Sequence, residues 1–127
     1  MVEKQLGEIL KITSENVSLK IMLLYRKNDC PLNTFYEMIH EVNLYYEVDI
    51  IAGDFNVKPN GQLNAIFQLY DQCVLEPTHL SGAVLDHVYV KKCLRLHYNV
   101  IVSVKRIFFS DHEAINIVLE RKDACSV

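Results

Sequence analysis

The chain has 127 residues, the size of one domain with a modest core. Half of the residues are apolar and 23% are charged, which excludes the disordered and low-complexity classes. The net charge of −3 argues against a domain held to nucleic acid by a basic surface, so any such role must rest on a local site.

Neither a membrane segment nor a secretory signal is predicted. The longest wholly apolar run, residues 21–25, is far shorter than the roughly 18 residues that a membrane-spanning helix needs. Residues 1–5 lead into no apolar core of a signal peptide. The cysteines form no C-x-x-C pair, which excludes a zinc ribbon or redox motif. We expect an intracellular protein with free thiols and no membrane partner, and the nucleus is one candidate compartment.

The N-terminal part of the chain predicts a β-hairpin followed by a helix. Residues 9–13 and 18–25 have strand-like patterns and flank a polar turn. The helix is predicted to begin at a capping box formed by Thr34 and Glu37. Apolar residues then recur at helical spacing as far as Tyr46.

A buried strand and a second helix come next. Residues 48–52 form a short run rich in β-branched residues that ends at Gly53, which favours a buried strand. After a break at residues 59–61, apolar residues at helical spacing from Leu63 to Val74 predict an amphipathic helix.

Three more strands are predicted, at residues 84–90, 100–104 and 115–119. The order β-β-α-β-α-β-β-β predicts a mixed α/β (α+β) fold, with one mixed, mostly antiparallel sheet and two helices on one face. Because the strands are apolar on both faces, we expect the second face to be left uncovered and to attract a partner.

Three short segments carry the polar residues that could do chemistry. Asp54 and Asn56 follow the buried strand two residues apart, so both can point into one cleft. Asp86 lies in an apolar strand, and Asp111 stands beside His112 before the last strand. Taken singly, each has a structural explanation: turn formers after a strand, an acid at a sheet edge, or an N-cap.

The other histidines are not predicted to belong to a site. His40, His79 and His97 fit no ligand spacing and are assigned to the surface or the core. His87 is predicted to point to the opposite face of its strand from Asp86.

In this order, the three segments resemble the motifs of the endonuclease/exonuclease/phosphatase superfamily. The Gly-Asp-Phe-Asn tetrapeptide is expected by chance less than about once in a thousand chains of this length. The flanking sequence resembles the mobile-element branch, which includes endonuclease domains of non-LTR retrotransposon and Helitron-type helicase polyproteins. The resemblance covers residues 9–120 and rests on Leu24-Tyr25-Arg26, Gly53-Asp54-Phe55-Asn56, Glu76-Pro77-Thr78-His79, Leu85-Asp86-His87-Val88 and Ser110-Asp111-His112.

The resemblance implies a catalytic role for five residues. Asp54 matches the aspartate that orients or deprotonates the attacking water, and Asn56 matches the asparagine that hydrogen-bonds beside it and touches the phosphate. His112 matches the donor to a phosphate oxygen, and Asp86 matches the acid that fixes that histidine. Tyr25 matches a tyrosine at a strand end that reaches the scissile phosphate.

The resemblance also implies a cofactor and partners. Asp111 matches a carboxylate of an Mg²⁺ (or Mn²⁺) site, with Asp54 close by, and the substrate is the phosphodiester backbone of DNA. Complete family members begin with another half, which carries an asparagine and a metal-ligating glutamate. We therefore expect residues 1–127 to be a truncated domain, half of a four-layer α/β/β/α sandwich. Such a domain would pair with a separately encoded or fused N-terminal half, or with a second copy of itself.

Three functions remain open on the sequence. The first is part of a metal-dependent DNA endonuclease of mobile-element origin. The second is a catalytically inactive remnant that acts as a binding or assembly module. The third is a phosphatase or phospholipase of the same superfamily, because the motifs belong to the shared phosphate site and not to the specificity loops.

Overall fold

The computed structural model of the protein describes residues 7–14, 17–107 and 110–122, with side chains from residue 18 onward except at positions 45 and 46. The mixed α/β fold predicted from the sequence is confirmed. The elements are β1 (Gly7–Ser14), β2 (Val17–Tyr25), α1 (Leu32–Tyr46), β3 (Ile50–Asp54), α2 (Gly61–Ile66), β4 (Tyr70–Gln72), β5 (Asp86–Lys91), a 3₁₀ helix (Lys92–Leu96), β6 (Tyr98–Lys105) and β7 (Ala114–Arg121).

The main sheet has five strands in the order β1-β2-β3-β5-β4. It is mixed, because β2 and β3 are parallel whereas the other three pairs are antiparallel. The parallel pair requires a crossover, and α1 provides it. The last two strands, β6 and β7, form a separate antiparallel sheet instead of joining the first.

Both helices pack on one face of the main sheet, as predicted. The amphipathic face of α1 places Phe35, Ile39 and Val42 against Met22 and other buried residues of the sheet. Aromatic rings fill the rest of this core, with Phe67 stacked on Tyr89 at 4.3 Å between ring centroids.

The second face of the main sheet is covered in large part by the β6–β7 hairpin, so the predicted uncovered face is wrong. Alternate residues of the hairpin turn inward onto Ile50, Val88 and Val90. The pairing with a second copy of the chain was predicted from an uncovered sheet face. Because the hairpin covers most of that face, the basis for this prediction is largely lost. On β2, Leu23 and Tyr25 lie on the same side and remain exposed.

Several element boundaries differ from the sequence prediction. The first helix begins at Leu32 after Pro31 and has no side-chain cap, so the capping box of Thr34 and Glu37 does not form. The second helix ends at Ile66, and the chain from Tyr70 onward is strand β4 instead of helix. The predicted turn at residues 15 and 16 and the Tyr46 side chain lie outside the described residues. Among the cysteines, Cys30, Cys73 and Cys93 are free thiols and Cys125 lies outside the described residues.

Gly53 allows β2 and β3 to approach closely. Its φ of +151° disfavours any side chain, and an added Cβ would lie 1.8 Å from the Leu24 carbonyl oxygen. Because that oxygen belongs to the neighbouring strand, it cannot move without breaking the sheet. The glycine is therefore required by the fold directly before Asp54.

His87 is a fully buried member of the aromatic core, on the opposite face of β5 from Asp86, as predicted. Its ring stacks on Phe55 at 4.5 Å between centroids, and its Nε2 donates to the Val57 carbonyl at 2.7 Å. The other ring nitrogen lies 3.1 Å from the Tyr89 hydroxyl. Burial lowers the pKa of His87 to about 4, although the backbone hydrogen bond and the Asp86 charge act in the other direction.

We predict that Gly53→Ala destabilises the protein by about 3 kcal/mol or more, because the new methyl group overlaps the Leu24 backbone. Gly61→Ala is the matched control, since a Cβ at this helix start meets nothing within 4 Å. The control should stabilise by up to about 1 kcal/mol. Chemical denaturation measures both free energies of unfolding, and equal effects would contradict the close approach.

We predict that the protein loses stability as the pH falls from about 6.5 to about 4, because unfolded His87 takes up a proton at its ordinary pKa of 6.5 while folded His87 resists protonation. The difference corresponds to roughly 3 kcal/mol. His87→Phe keeps an aromatic ring against Phe55 and should reduce this loss. His97→Gln, at an exposed histidine, should not. Superimposable pH profiles of wild type and His87→Phe would contradict the prediction.

Candidate active site

Three of the predicted site residues form one row across the edge of the main sheet. The parallel register places Tyr25 beside Asp54, and the antiparallel register places Asp54 beside Asp86. Cross-strand neighbours lie on the same face of a sheet, so the three side chains share the face that carries the β6–β7 hairpin. Tyr25 is 50% exposed at this edge.

His112 lies between the two carboxylates of this row. Its Nδ1 is 2.8 Å from Asp86 Oδ2, and its Nε2 is 3.5 Å from Asp54 Oδ2. The predicted pairing of His112 with Asp86 is therefore present, and the other ring nitrogen faces the cleft. Since a carboxylate can only accept, Nδ1 carries a proton.

The charges around His112 favour its protonated form. Burial alone lowers its pKa, but the hydrogen bond and charge of Asp86, with Asp54 and Asp111 nearby, outweigh burial and raise the pKa of His112. Burial also raises the pKa of Asp54, with a further contribution from Asp86, while the Asn56 hydrogen bond and His112 oppose the shift. The site thus combines a histidine and a carboxylate whose pKa values are both raised.

Asn56 belongs to the same corner but is anchored to the backbone. It has a positive φ of 50°, and its backbone N–H donates to Asp54 Oδ1 at 3.0 Å. Its side-chain amide donates to the Arg26 carbonyl. Asn56 therefore fixes the Asp54 carboxylate and the end of β2, and the predicted contact with phosphate stays a prediction.

Arg26 supports the site and was not predicted as a functional residue. Its buried guanidinium donates to the carbonyls of Phe55, Asn56 and Cys30 at 2.6–2.7 Å. Its backbone N–H donates to the Asp54 carbonyl at 2.8 Å. The one sequence signal was its place after Tyr25 in a segment quoted for the resemblance.

Thr78 is a second support that sequence reasoning missed. It is fully buried, and its hydroxyl accepts the backbone N–H groups of Leu85 and Asp86, each at 3.0 Å. These bonds fix the start of β5 and hence the Asp86 side chain. Only the position of Thr78 within the Glu-Pro-Thr-His segment indicated it.

His79 was assigned to the surface or the core, whereas the structure brings it into the site. Its ring lies edge-on to His112 at 5.0 Å between centroids, and its Nε2 is 3.4 Å from Asp111 Oδ2. Asp111, whose side chain is 63% exposed, faces His79 at the mouth of the cleft.

Two groups of side chains could hold a cation. One contains Asp54, Asp86 and His112, and the other contains His79, Asp111 and His112. Asp54 and Asp111, the two carboxylates predicted to share an ion, thus fall in different groups. The pKa of Asp54 is raised mainly by burial and further by the charge of Asp86. Carboxylate oxygens suit a hard divalent ion, and such an ion would offset both effects. The donor chemistry therefore fits the implied metal.

Comparison with known proteins identifies the fold. No protein-family model matches the chain, and no curated protein matches it. Among solved structures, the chain is similar to the endonuclease domain of TRAS1, a telomere-specific non-LTR retrotransposon, with a TM-score of 0.73 at 14% sequence identity. The match covers 89% of this chain and 61% of the length of that structure.

This likeness supports the fold that the motifs predicted: the chain has the fold seen in the endonuclease domain of TRAS1. The described residues contain no helix that is both long and apolar enough to cross a membrane.

We predict that Asp86→Asn lowers the pKa of His112, because the substitution removes the charge and hydrogen bond that stabilise the imidazolium. Asp71→Asn is the matched control, since this half-buried aspartate pairs with Arg95 elsewhere on the sheet. An NMR titration of the His112 ring measures the shift. A wild-type His112 more acidic than a model histidine would contradict the pairing.

Proposed function

We propose that this chain is part of a divalent-metal-dependent phosphodiesterase, a DNA endonuclease of mobile-element origin. The observation that carries the proposal is His112 held between Asp86 and Asp54 at the open edge of the sheet. The likeness in fold to a retrotransposon endonuclease domain supports this reaction class over unrelated hydrolases.

Phosphodiester hydrolysis needs a base for the attacking water and donors for the charge that develops on the phosphate. Asp54 is the base in this proposal, since burial and Asp86 raise its pKa and make its carboxylate a better proton acceptor. His112 donates from Nε2 to a phosphate oxygen, and Asp86 holds its ring. Tyr25 flanks the same row and would contact the scissile phosphate, and Asn56 would orient Asp54.

The implied Mg²⁺ or Mn²⁺ would be held by Asp111 and Asp54. When bound, such an ion polarises the phosphate and neutralises charge in the transition state. Asp86 is less available, because its Oδ2 is engaged by His112. Since Asp54 and Asp111 lie in different ligand groups, we propose that a further carboxylate completes the set.

That carboxylate belongs to the first half of the family's domain, as the resemblance implies. The chain spans 61% of the length of the TRAS1 domain. We propose that residues 1–127 form the C-terminal part of such a domain, and that a fused or separately encoded N-terminal half supplies the glutamate and the asparagine.

We predict that the purified chain binds Mn²⁺ or Mg²⁺ weakly and nicks plasmid DNA slowly. Adding a first-half polypeptide that carries the asparagine and glutamate should restore nicking. In that mixture Asp54→Ala or His112→Ala should lower the rate by ~10²–10⁴-fold, the usual scale for a general acid or base. His40→Ala, at an exposed residue of α1, should leave the rate unchanged.

The other outcomes distinguish the alternatives. Rapid metal-dependent nicking by the chain alone would overturn the proposal that the metal ligands are divided between this chain and an N-terminal half. DNA binding without cleavage, in the presence of the first half, would favour a binding module. Cleavage of phosphomonoesters or phospholipids in preference to DNA would favour a phosphatase or phospholipase.

A further inference from the structure

The loop that carries His79 is tied to the segment that carries Asp111 by backbone hydrogen bonds. Leu80 N–H donates to the Asp111 carbonyl at 3.0 Å, and Glu113 N–H donates to the Thr78 carbonyl at 2.7 Å. These bonds form an isolated antiparallel bridge between His79 and His112. The two segments therefore keep a fixed distance from one another, and the His79 ring has a defined position above Asp111.

The proton on the His79 ring can be assigned from its neighbours. The backbone N–H of Ser81 donates to His79 Nδ1 at 3.1 Å, and the Ser81 hydroxyl lies 2.9 Å from the same nitrogen. A backbone N–H can only donate, so Nδ1 must be an unprotonated acceptor. The neutral ring then carries its proton on Nε2, which is the nitrogen facing Asp111 Oδ2 at 3.4 Å.

This tautomer distinguishes between two roles for His79, a ligand of the ion and a partner of the Asp111 carboxylate. His79, Asp111 and His112 lie close enough to hold one ion together. A ring nitrogen that bears a proton, however, has no lone pair for a metal. If the proton moved to Nδ1, it would point at the Ser81 N–H and the hydrogen bond from Ser81 would be lost. His79 therefore presents a protonated nitrogen to Asp111 and no lone pair to an ion.

We propose that His79 is a positioning residue that holds the exposed Asp111 carboxylate through its Nε2–H and leaves the remaining carboxylate lone pairs for the ion. The inference rests on the metal-ligand role proposed above for Asp111. Within the described part of the chain, His79 is the one ion-pair or hydrogen-bond partner of the Asp111 side chain. Without it, an exposed aspartate between two short segments would be free to change rotamer.

Three substitutions separate the two polar contacts of the His79 ring, one with Ser81 and one with Asp111. His79→Gln can keep an N–H donor near the position of Nε2. His79→Asn can keep an acceptor near Nδ1 for Ser81 but cannot reach Asp111, and His79→Leu loses both. If His79 positions Asp111, the Mn²⁺ affinity of the full chain, measured by electron paramagnetic resonance, should fall about tenfold or more in the Asn and Leu variants. The Gln variant should stay close to wild type.

Two further readouts need no metal. A long-range ¹H–¹⁵N spectrum of the histidine rings at neutral pH should show His79 protonated at Nε2 and unprotonated at Nδ1. The side-chain carboxyl ¹³C resonance of Asp111 should shift in the Asn and Leu variants but not in the Gln variant. His97→Gln, at an exposed histidine, is the matched control, and thermal melts check that each variant folds.

The outcomes for this inference and for the proposed function are distinguishable. A His79 ring protonated at Nδ1, or an Asp111 resonance that is the same in all variants, would overturn the positioning role whatever the chain catalyses. Equal Mn²⁺ affinities of the Gln and Asn variants would also overturn it. If wild type binds no Mn²⁺ and nicks no DNA with the first half present, the proposed function fails. The two spectra then still decide whether His79 holds Asp111.

Discussion

The close approach of β2 and β3 at Gly53 is the constraint on which the site depends. The Leu24 carbonyl occupies the space that any Cβ would need, so the two strands can lie this close only at a glycine. Their parallel register then sets Tyr25 beside Asp54. Directly after β2, the buried guanidinium of Arg26 donates to the backbone carbonyls of Cys30, Phe55 and Asn56. These contacts fix the end of β3 from which Asp54 projects into the cleft.

The cleft contains two imidazole–carboxylate pairs that are built in opposite ways. Asp86 accepts from Nδ1 of His112, and its hydrogen bond and charge help to raise the pKa of that ring. Ser81 instead donates to Nδ1 of His79, so the proton of that neutral ring lies on Nε2, the nitrogen that faces Asp111. In the roles proposed above, His112 donates to a phosphate oxygen, whereas His79 holds a carboxylate in place. Neighbouring backbone and carboxyl groups, and not the histidines themselves, determine this division.

Part of the candidate site could be predicted from the sequence, because strand geometry is local. Asp54 and Asn56 could be assigned to one corner from a spacing of two residues after a buried run. His79 could not be found in this way, because its place depends on a backbone bridge to a segment more than 30 residues away. The second helix was predicted to be too long for a similar reason. The Tyr70 hydroxyl donates to the Val48 carbonyl, and β4, which contains Tyr70, pairs with β5. These contacts override the helical spacing of the apolar residues. The roles of Asp86 and His112 came from the family resemblance, not from spacing.

The site is divided between the two sheets, and Thr78 links the two parts. Asp86 begins a strand of the main sheet, whereas His112 lies just before β7, whose inward residues pack on that sheet through apolar contacts. The 2.8 Å hydrogen bond between His112 and Asp86 requires a precise position of the two residues. Apolar packing, which is not directional, does not by itself provide that precision. Thr78 resolves this, because its hydroxyl accepts the Asp86 backbone N–H while its carbonyl accepts that of Glu113, next to His112. A single buried residue thereby fixes the backbone of Asp86 and the backbone beside His112, so the geometry of this pair does not depend on the packing of the hairpin alone.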